Sequence, residues 1–273
     1  MILFSYENPD PARERQDLIA YAEAGHAPSQ RALAHCYRIG DSLTEQDYAE
    51  AITWYLRAAE QGDAAAQNDL GSMYLNGYGA QKDTTVAARW YRKSAEQGVA
   101  VAQFNYALRC LHGDGVDEDE HEAVRWLIKA AQQGHVEATG QLGTLCRFGQ
   151  GIEQNIVRAA QLHVKAAIAG DVVSIGNLAS YYKEIEHEAL SGSLRAALAL
   201  AKIFINGLGV EPNPVIGYAW LLWGRSHGAW GDDENGQREK DELFFECHSG
   251  LSEAQRDEAH RLVEEMRVRS GQP

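Results

Sequence analysis

Three glycine pairs are the part of this sequence closest in form to a nucleotide-binding motif. Each pair reads Gly-x-Gly: the pairs begin at Gly77, Gly113 and Gly149. Phosphate-binding loops with such glycines follow a β-strand and continue to Gly-x-Gly-x-x-Gly, or contain Gly-Lys-Ser or Gly-Lys-Thr. None of the three pairs has that context. We therefore interpret them as turns, and the sequence predicts no cofactor.

Histidine and cysteine form no recognisable catalytic or metal-binding pattern. His121 and His187 are each followed by glutamate, but neither has the second histidine four residues later that a zinc site on a helix requires. Cys247-His248 has no partner pair. The sequence thus predicts no catalytic, cofactor-binding or metal-binding residue, and a protein that is not an enzyme. An enzyme of unrecognised type stays as a remote alternative, because catalytic groups can assemble from distant positions.

The composition argues against nucleic acid as a partner. The chain has 273 residues and a formal net charge of −14, whereas phosphate binding needs a surplus of lysine and arginine. The first residues carry no basic segment and only a short apolar run, and no stretch reaches the length of a membrane span. These features predict a cytoplasmic protein, or a periplasmic one if a leader has been removed.

A repeat of about 36 residues organises the chain. The spacing holds for the first glycines of the three pairs and for a second glycine column, a tryptophan column and an alanine column. These columns are Gly62, Gly98, Gly134 and Gly170; Trp54, Trp90 and Trp126; and Ala59, Ala95, Ala131 and Ala167. Each unit contains two windows with apolar or small residues at helical spacing, joined at the Gly-x-Gly turn. Glycine suits helix ends because the left-handed conformation costs other residues about 1 kcal/mol.

The pattern predicts an all-α fold, a right-handed superhelical solenoid in which helical hairpins stack because no single hairpin can bury its own apolar stripe. We predict one solenoid domain over residues 1–273. Its parts are a capping half-repeat at 10–26; full repeats at 27–63, 64–99, 100–135 and 136–171; a truncated repeat at 172–193; a full repeat at 194–229; and capping helices at 230–273. The truncated repeat lacks the turn glycines and about one second helix. Ser252 and Gln255 form a capping box that predicts the start of the last helix.

Four short segments resemble the Sel1-like repeat family, relatives of tetratricopeptide repeats with a longer turn. They are Leu70-Gly71-x-x-Tyr74, Gly77-x-Gly79, Ala87-x-x-Trp90-Tyr91 and Ala95-x-x-Gly98. The tetratricopeptide period of 34 is shorter than the period seen here. The resemblance implies a scaffold or adaptor, bacterial in origin, that binds one or more proteins in its concave groove. A narrower alternative that it also implies is an immunity protein that neutralises a secreted antibacterial toxin, such as a lipase.

The core is predicted from the same columns. Trp54, Trp90, Trp126 and Trp220 are expected to be buried between hairpins. The four cysteines are too few and too scattered for a disulfide framework and are expected to be free thiols. Cys110 and Cys146 occupy the same site in successive repeats, so their separation of roughly 8 to 10 Å exceeds the reach of a disulfide, about 7 Å.

Charge in the first helices gives the one pattern that points to a binding surface. The six predicted first-helix windows contain seven basic and only three acidic residues, a net charge of +4 that leaves −18 for the rest. This pattern predicts a basic groove that holds an acidic segment of a partner. The proposed contact residues are Arg31, Arg38, Phe104, Leu108, Arg147 and Lys183. Two alternatives stay open: the cations near helix ends complement the helix dipole, and the apolar residues are buried between hairpins.

Overall fold

The structure is a computed structural model that describes residues 11–40, 44–227 and 234–271. These ranges contain fourteen α-helices and no β-strand. The helices are α1 (Pro11–Glu23), α2 (Ala27–Ile39), α3 (Tyr48–Glu60), α4 (Ala64–Asn76), α5 (Thr84–Glu96), α6 (Ala100–His112), α7 (Glu120–Gln132), α8 (Val136–Phe148), α9 (Ile156–Ile168), α10 (Val172–Leu190), α11 (Leu194–Asn206), α12 (Pro214–Ser226), α13 (Glu234–Gly250) and α14 (Glu253–Ser270). The all-α fold class is thereby confirmed. The chain divides into two compact units, Met1–Gln133 (unit 1) and Gly134–Pro273 (unit 2).

Helix boundaries in the hairpins follow from caps that recur in the sequence. Second helices α3, α5 and α7 each begin after an aspartate whose carboxylate accepts backbone N–H bonds of the first turn. First helices α4 and α6 end at Gly77 and Gly113, both in the left-handed conformation. Both kinds of end satisfy backbone groups that have no partner inside the helix.

The second glycine of each turn is required by a close approach. Gly79 and Gly115 have φ of +73° and +80° and lie against the start of the preceding second helix. A Cβ added to them would lie 2.1 Å from the Tyr48 carbonyl oxygen and 2.2 Å from that of Thr84. The Gly-x-Gly pairs are therefore turns whose second residue lets one repeat pack on the one before it.

The core of unit 1 is built from small residues and aromatic rings. Trp54 and Trp126 are buried, as predicted, and each has a cation over its ring: Arg57 and Lys129. For Trp90 the prediction of burial is wrong, because its side chain is only half-buried, with the Lys93 Nζ 4.2 Å from the ring centre.

A chain of buried amides joins the hairpins of unit 1. Gln30, Gln67 and Gln103 each donate to a carbonyl oxygen eight residues earlier in the chain. Their own amide oxygens accept bonds from glutamines about 30 residues later: Gln61, Gln97 and Gln133. Because buried polar groups are costly when unpaired, this ladder fixes how successive hairpins align.

Unit 2 differs at its centre, where the 19 residues of α10 form two helical parts joined at a kink, with non-helical angles at Tyr181 (φ −137°, ψ 18°). It packs against both α9 and α11, and α9 also contacts α11 directly. The turn glycine Gly209 lies against α10: a Cβ there would be 2.6 Å from the Ile175 carbonyl oxygen. In unit 1 the matching glycines lie against the start of a second helix, so α10 takes that position here.

The last helices close unit 2. Ser252 and Gln255 form the predicted capping box at the start of α14, which packs on α12. Helix α13 starts at Glu234, and residues 228–233 lie outside the described residues. Trp220 is buried in this core, as predicted, and all four cysteines are free thiols. No helix in the described ranges is both long enough and apolar enough to cross a bilayer. The domain boundaries within the solenoid stay predictions.

Candidate partner-binding surfaces

The first surface belongs to unit 1 and consists of the solvent side of α2, α4 and α6, here called the first-helix face of unit 1. Arg31, His35 and Arg38 follow one another along α2 at helical spacing, so they share a side of the helix. Arg31 is paired with Asp63, with 3.3 Å between Nε and the carboxylate, and its side chain stays 41% exposed. The surface thus presents cations that are only partly neutralised.

Asp69 on α4 lies among these cations. Burial raises the pKa of its carboxyl group, and the nearby charges of Arg38, Arg31 and His35 act in the opposite direction. One of the few acids of the first helices therefore lies near enough to these cations to feel their charge.

Two tyrosines of the second helices reach this face from inside. Tyr55 is fully buried, and its hydroxyl lies close to the Arg38 side chain. Burial raises the pKa of Tyr55 to about 12, Asp69 adds to this rise, and Arg38 opposes it. Tyr91 occupies the same repeat position, and its ring passes against Gly71, where a Cβ would lie 2.7 Å from the ring. Glycine at 71 is thus what admits the Tyr91 ring.

The apolar candidates lie on α6. Phe104 and Leu108 are half-buried, and Val101 on the same helix is 48% exposed. Arg109 pairs with Asp114 at 2.9 Å, while its Nε is buried without a hydrogen-bond partner in the described structure. Phe104 and Leu108 are each partly exposed and partly packed, so both interpretations, contact with a partner and burial between hairpins, stay open.

The second surface belongs to unit 2, on α8 and α10. The Arg147 guanidinium lies 4.2 Å from the ring centre of Tyr181, donates to the Ser180 hydroxyl at 2.8 Å and pairs with Glu184 at 3.4 Å. Its side chain is only 18% exposed. Lys183 is exposed. Arg147 therefore braces the kink of α10, in addition to any contact with a partner.

His163 forms a buried polar cluster beneath that surface. Its Nδ1 lies 2.7 Å from the Tyr181 hydroxyl, and its Nε2 lies 3.3 Å from both the Thr144 hydroxyl and the Asn177 amide nitrogen. Gly143 makes room, because a Cβ there would lie 2.7 Å from the imidazole. Burial lowers the pKa of His163 to about 4, so the ring is neutral at pH 7. Nothing in the local sequence marks His163. Glycine at the matching positions 71 and 143 could, however, have indicated that a ring packs against each of them.

The groups on these surfaces are suited to binding. Burial raises the pKa of the Cys110 thiol to about 11, which keeps it protonated and a poor nucleophile at neutral pH. No cluster of three potential metal-ligating His, Cys, Asp or Glu side chains occurs in the part of the chain that the structure describes. Guanidinium groups, by contrast, pair with carboxylates through two parallel hydrogen bonds.

The repeated hairpins, their caps and their paired turn glycines agree with a known family. The family model of the Sel1 repeat matches residues 27–63, 64–99, 100–135, 136–171 and 194–222. The chain belongs to the Sel1 repeat family.

A solved Sel1 repeat structure shares the fold, and two further solved structures are similar to a lower degree. A Sel1 repeat protein from Oxalobacter formigenes is 24% identical, with 85% of this chain and 92% of that chain covered and a TM-score of 0.57. A protective antigen of uropathogenic Escherichia coli with an SLR fold is 23% identical, with 95% and 72% covered and a TM-score of 0.46. An immunity protein from Pseudomonas aeruginosa is 22% identical, with 81% of each chain covered and a TM-score of 0.40. Comparison with curated proteins gives no match.

Within these Sel1 repeats the structure brings together only some of the predicted contact residues. Arg31 and Arg38 meet around Asp69 in unit 1. Arg147 lies in unit 2 and is engaged with Tyr181 and the end of α10. A continuous basic ladder from Arg38 to Arg147 and Lys183 stays a prediction.

Proposed function

We propose that this Sel1 repeat protein is a non-catalytic scaffold that binds an acidic segment of a partner protein on the first-helix face of unit 1. The observation that carries the proposal is the group of Arg31, His35 and Arg38 near Asp69, with the buried Tyr55 beneath it. In a chain with a net charge of −14, a local group of cations favours an acidic ligand and speeds its association.

The remaining candidate residues take supporting roles in this proposal. Phe104 and Leu108 on α6 supply apolar contact next to the charged group, since interface energy concentrates in a few well-packed anchors. Arg147 and Lys183 extend the binding set in unit 2. No observation in the described residues specifically favours the alternative of an immunity protein. Identification of the partner as a toxin would support it.

Photo-crosslinking tests which surface meets the partner. A photoreactive benzoylphenylalanine replaces Val101, which is exposed on first helix α6, or Arg125, which is exposed on second helix α7 of the same unit. In cells, we expect one defined protein adduct from position 101 and much less from position 125. Comparable adducts from both positions would contradict the proposal.

Charge reversal tests the chemistry once that partner is purified. Changing both Arg31 and Arg38 to glutamate should weaken binding at least tenfold in about 0.1 M salt, and by less at high salt because exposed charges are screened over roughly 10 Å. The matched control changes Arg89 and Arg125, exposed on second helices of the same unit, to glutamate. A glutamine pair at 31 and 38 gives a milder variant if the glutamate pair unfolds. If the two pairs of substitutions weaken binding equally, Arg31 and Arg38 would have only a helix-capping role.

A further inference from the structure

A cleft of about 940 Å³ opens in unit 2, on the side of the second helices. It lies between the start of α9, the end of α10 and the start of α11, and Ile156 and Val157 form its half-buried apolar wall. Its volume falls in the range of ligand-binding pockets. The cleft is distinct from the first-helix faces described above.

The missing turn of the truncated repeat explains the cleft. In unit 1, the second turn glycine of one repeat covers the start of the second helix before it: Gly79 lies against Tyr48 and Gly115 against Thr84. The start of α9 is the equivalent position in unit 2, but the kinked helix α10 follows α9 without a Gly-x-Gly turn. The next turn, at Gly209, lies against Ile175 of α10 instead. In unit 1 a Gly-x-Gly turn thus fills this position, whereas in unit 2 the cleft lies there.

The charges at the start of α9 also differ from those at the starts of α3 and α7. The helices α3, α5 and α7 are capped by aspartate, whereas α9 is capped by Asn155. Arg158 stands where α3 has Glu50 and α7 has Glu122. Helix α5 has Val86 at this position, so the residue is acidic in two of the three second helices of unit 1 and basic in α9.

The rest of the lining reinforces this change. Arg195 at the start of α11 adds a second guanidinium group, Glu188 is the one acid of the lining, and amide side chains such as Gln161 complete it. The lining is net basic in a chain whose net charge is −14. Guanidinium groups bind carboxylates with two hydrogen bonds, and side-chain amides can bond both to N–H and to C=O groups of an extended peptide.

We propose that this cleft binds a short extended segment of a partner protein through a glutamate or aspartate side chain that pairs with Arg158 and Arg195. The segment occupies the place that a Gly-x-Gly turn fills in a complete repeat. This inference shares with the proposed scaffold function only the assumption that the ligand is a protein. The surface and the residues that bind it are different.

The experiment uses the ¹⁵N-labelled full chain and a defined peptide probe. The probe is a seven-residue peptide of alternating glycine and glutamate, acetylated at its start and amidated at its end, so that only side chains carry carboxylates. Amide chemical-shift changes during titration should concentrate at residues 154–161 and 188–195. Changing both Arg158 and Arg195 to glutamate should weaken binding at least tenfold, and a pair of glutamines should weaken it in the same direction. The same loss is expected when glutamine replaces glutamate in the probe.

The matched control is the variant with Arg89 and Arg125, exposed on second helices of unit 1, changed to glutamate, which should bind the probe as the unaltered chain does. Shift changes on α2 and α4 instead of the cleft would overturn this inference while supporting the proposed function. Changes at the cleft together with no crosslink from position 101 would support the inference and overturn the first-helix proposal. Tight binding of a glycine–glutamine peptide with a free terminal carboxylate would assign the cleft to chain ends and contradict the side-chain proposal.

Discussion

A regular hairpin of unit 1 and the single helix α10 of unit 2 begin alike and end differently. Both α4 and α10 start after a capping aspartate, at Ala64 and Val172. Counted from these starts, Gly77 and Gly79 correspond to Ile185 and His187. Helix α4 ends at its glycine, whereas α10 continues to Leu190 with Ile185 fully buried. The regular segment thus ends its helix at a glycine, whereas α10, with Ile185 and His187 at the two glycine positions, continues beyond its kink.

The same comparison explains where polar groups accumulate. At one position of the second helices the chain has Tyr55 and Tyr91 in unit 1 and His163 in unit 2. In unit 1 the Tyr55 hydroxyl lies near the Arg38 side chain, while in unit 2 His163 is bonded to Tyr181, the residue at the kink. At this position the regular repeat therefore places its buried polar group next to a cation of the first-helix face, and the altered repeat places it next to an internal tyrosine.

The largest expected effect concerns the turn glycines that define a regular hairpin. Gly115→Ala places a Cβ 2.2 Å from the Thr84 carbonyl oxygen and also forces a positive φ on alanine, so we expect a loss of about 3 to 5 kcal/mol in the free energy of unfolding. Gly98→Ala is the matched control, because its φ is +94° and nothing lies within 4 Å of the added Cβ. It should cost only about 1 to 2 kcal/mol in the same urea titration. Similar losses for the two variants would show that close packing of the turn does not distinguish regular repeats.

The tryptophan column gives the next contrast. Trp220 lies beside the altered repeat and is 2% exposed. Trp220→Ala should lower the free energy of unfolding by about 3 to 5 kcal/mol. Trp90→Ala in unit 1 should cost about 1 to 2 kcal/mol, because the half-buried ring loses less contact and leaves a smaller cavity. Chemical denaturation of the two variants measures both. A larger loss for Trp90 than for Trp220 would contradict the burial on which this ranking depends.

The sequence predicted the repeated parts well because each repeat tests the others. Helix starts and turns recur with their caps, so a 36-residue period is enough to place them. The prediction from sequence failed for Trp90. The tryptophan column predicts that this ring is buried, but the packing in unit 1 leaves it half-exposed. The sequence also did not indicate the contact between His163 and Tyr181, because that pair depends on how α10 continues, a property of packing and not of one repeat.

Acid titration sharpens the comparison at His163. Its pKa in the folded protein, about 4, lies below the ordinary value of 6.5. Between these values the unfolded chain binds a proton that the folded protein does not, so stability falls as the pH falls from 6.5 to 4, by up to about 3 kcal/mol, and this contribution changes no further below pH 4. His163→Leu, which copies Leu127 at the same repeat position, should remove this part of the pH dependence. His187→Leu, at an exposed histidine on α10, serves as the control.

Urea titrations at several pH values provide the measurement. Because the carboxyl groups titrate in all three proteins, the difference between the curves isolates the contribution of His163. Parallel curves for the native protein and His163→Leu would mean that protonation of this imidazole is not linked to folding. The buried cluster at the kink would then be held by packing alone.

The smallest expected effect concerns the arginine that braces the kink. Arg147→Lys keeps the positive charge but loses the planar group that stacks on Tyr181 and reaches Ser180 and Glu184 together. We expect a loss of about 1 kcal/mol in unfolding free energy, with faster amide hydrogen exchange in α10 and unchanged exchange in α4. Lys183→Ala, on the exposed side of the same helix, should change neither quantity. If Arg147→Lys behaves like Lys183→Ala, the guanidinium contacts do not stabilise the kink. The positive charge at position 147 is then available to bind a partner.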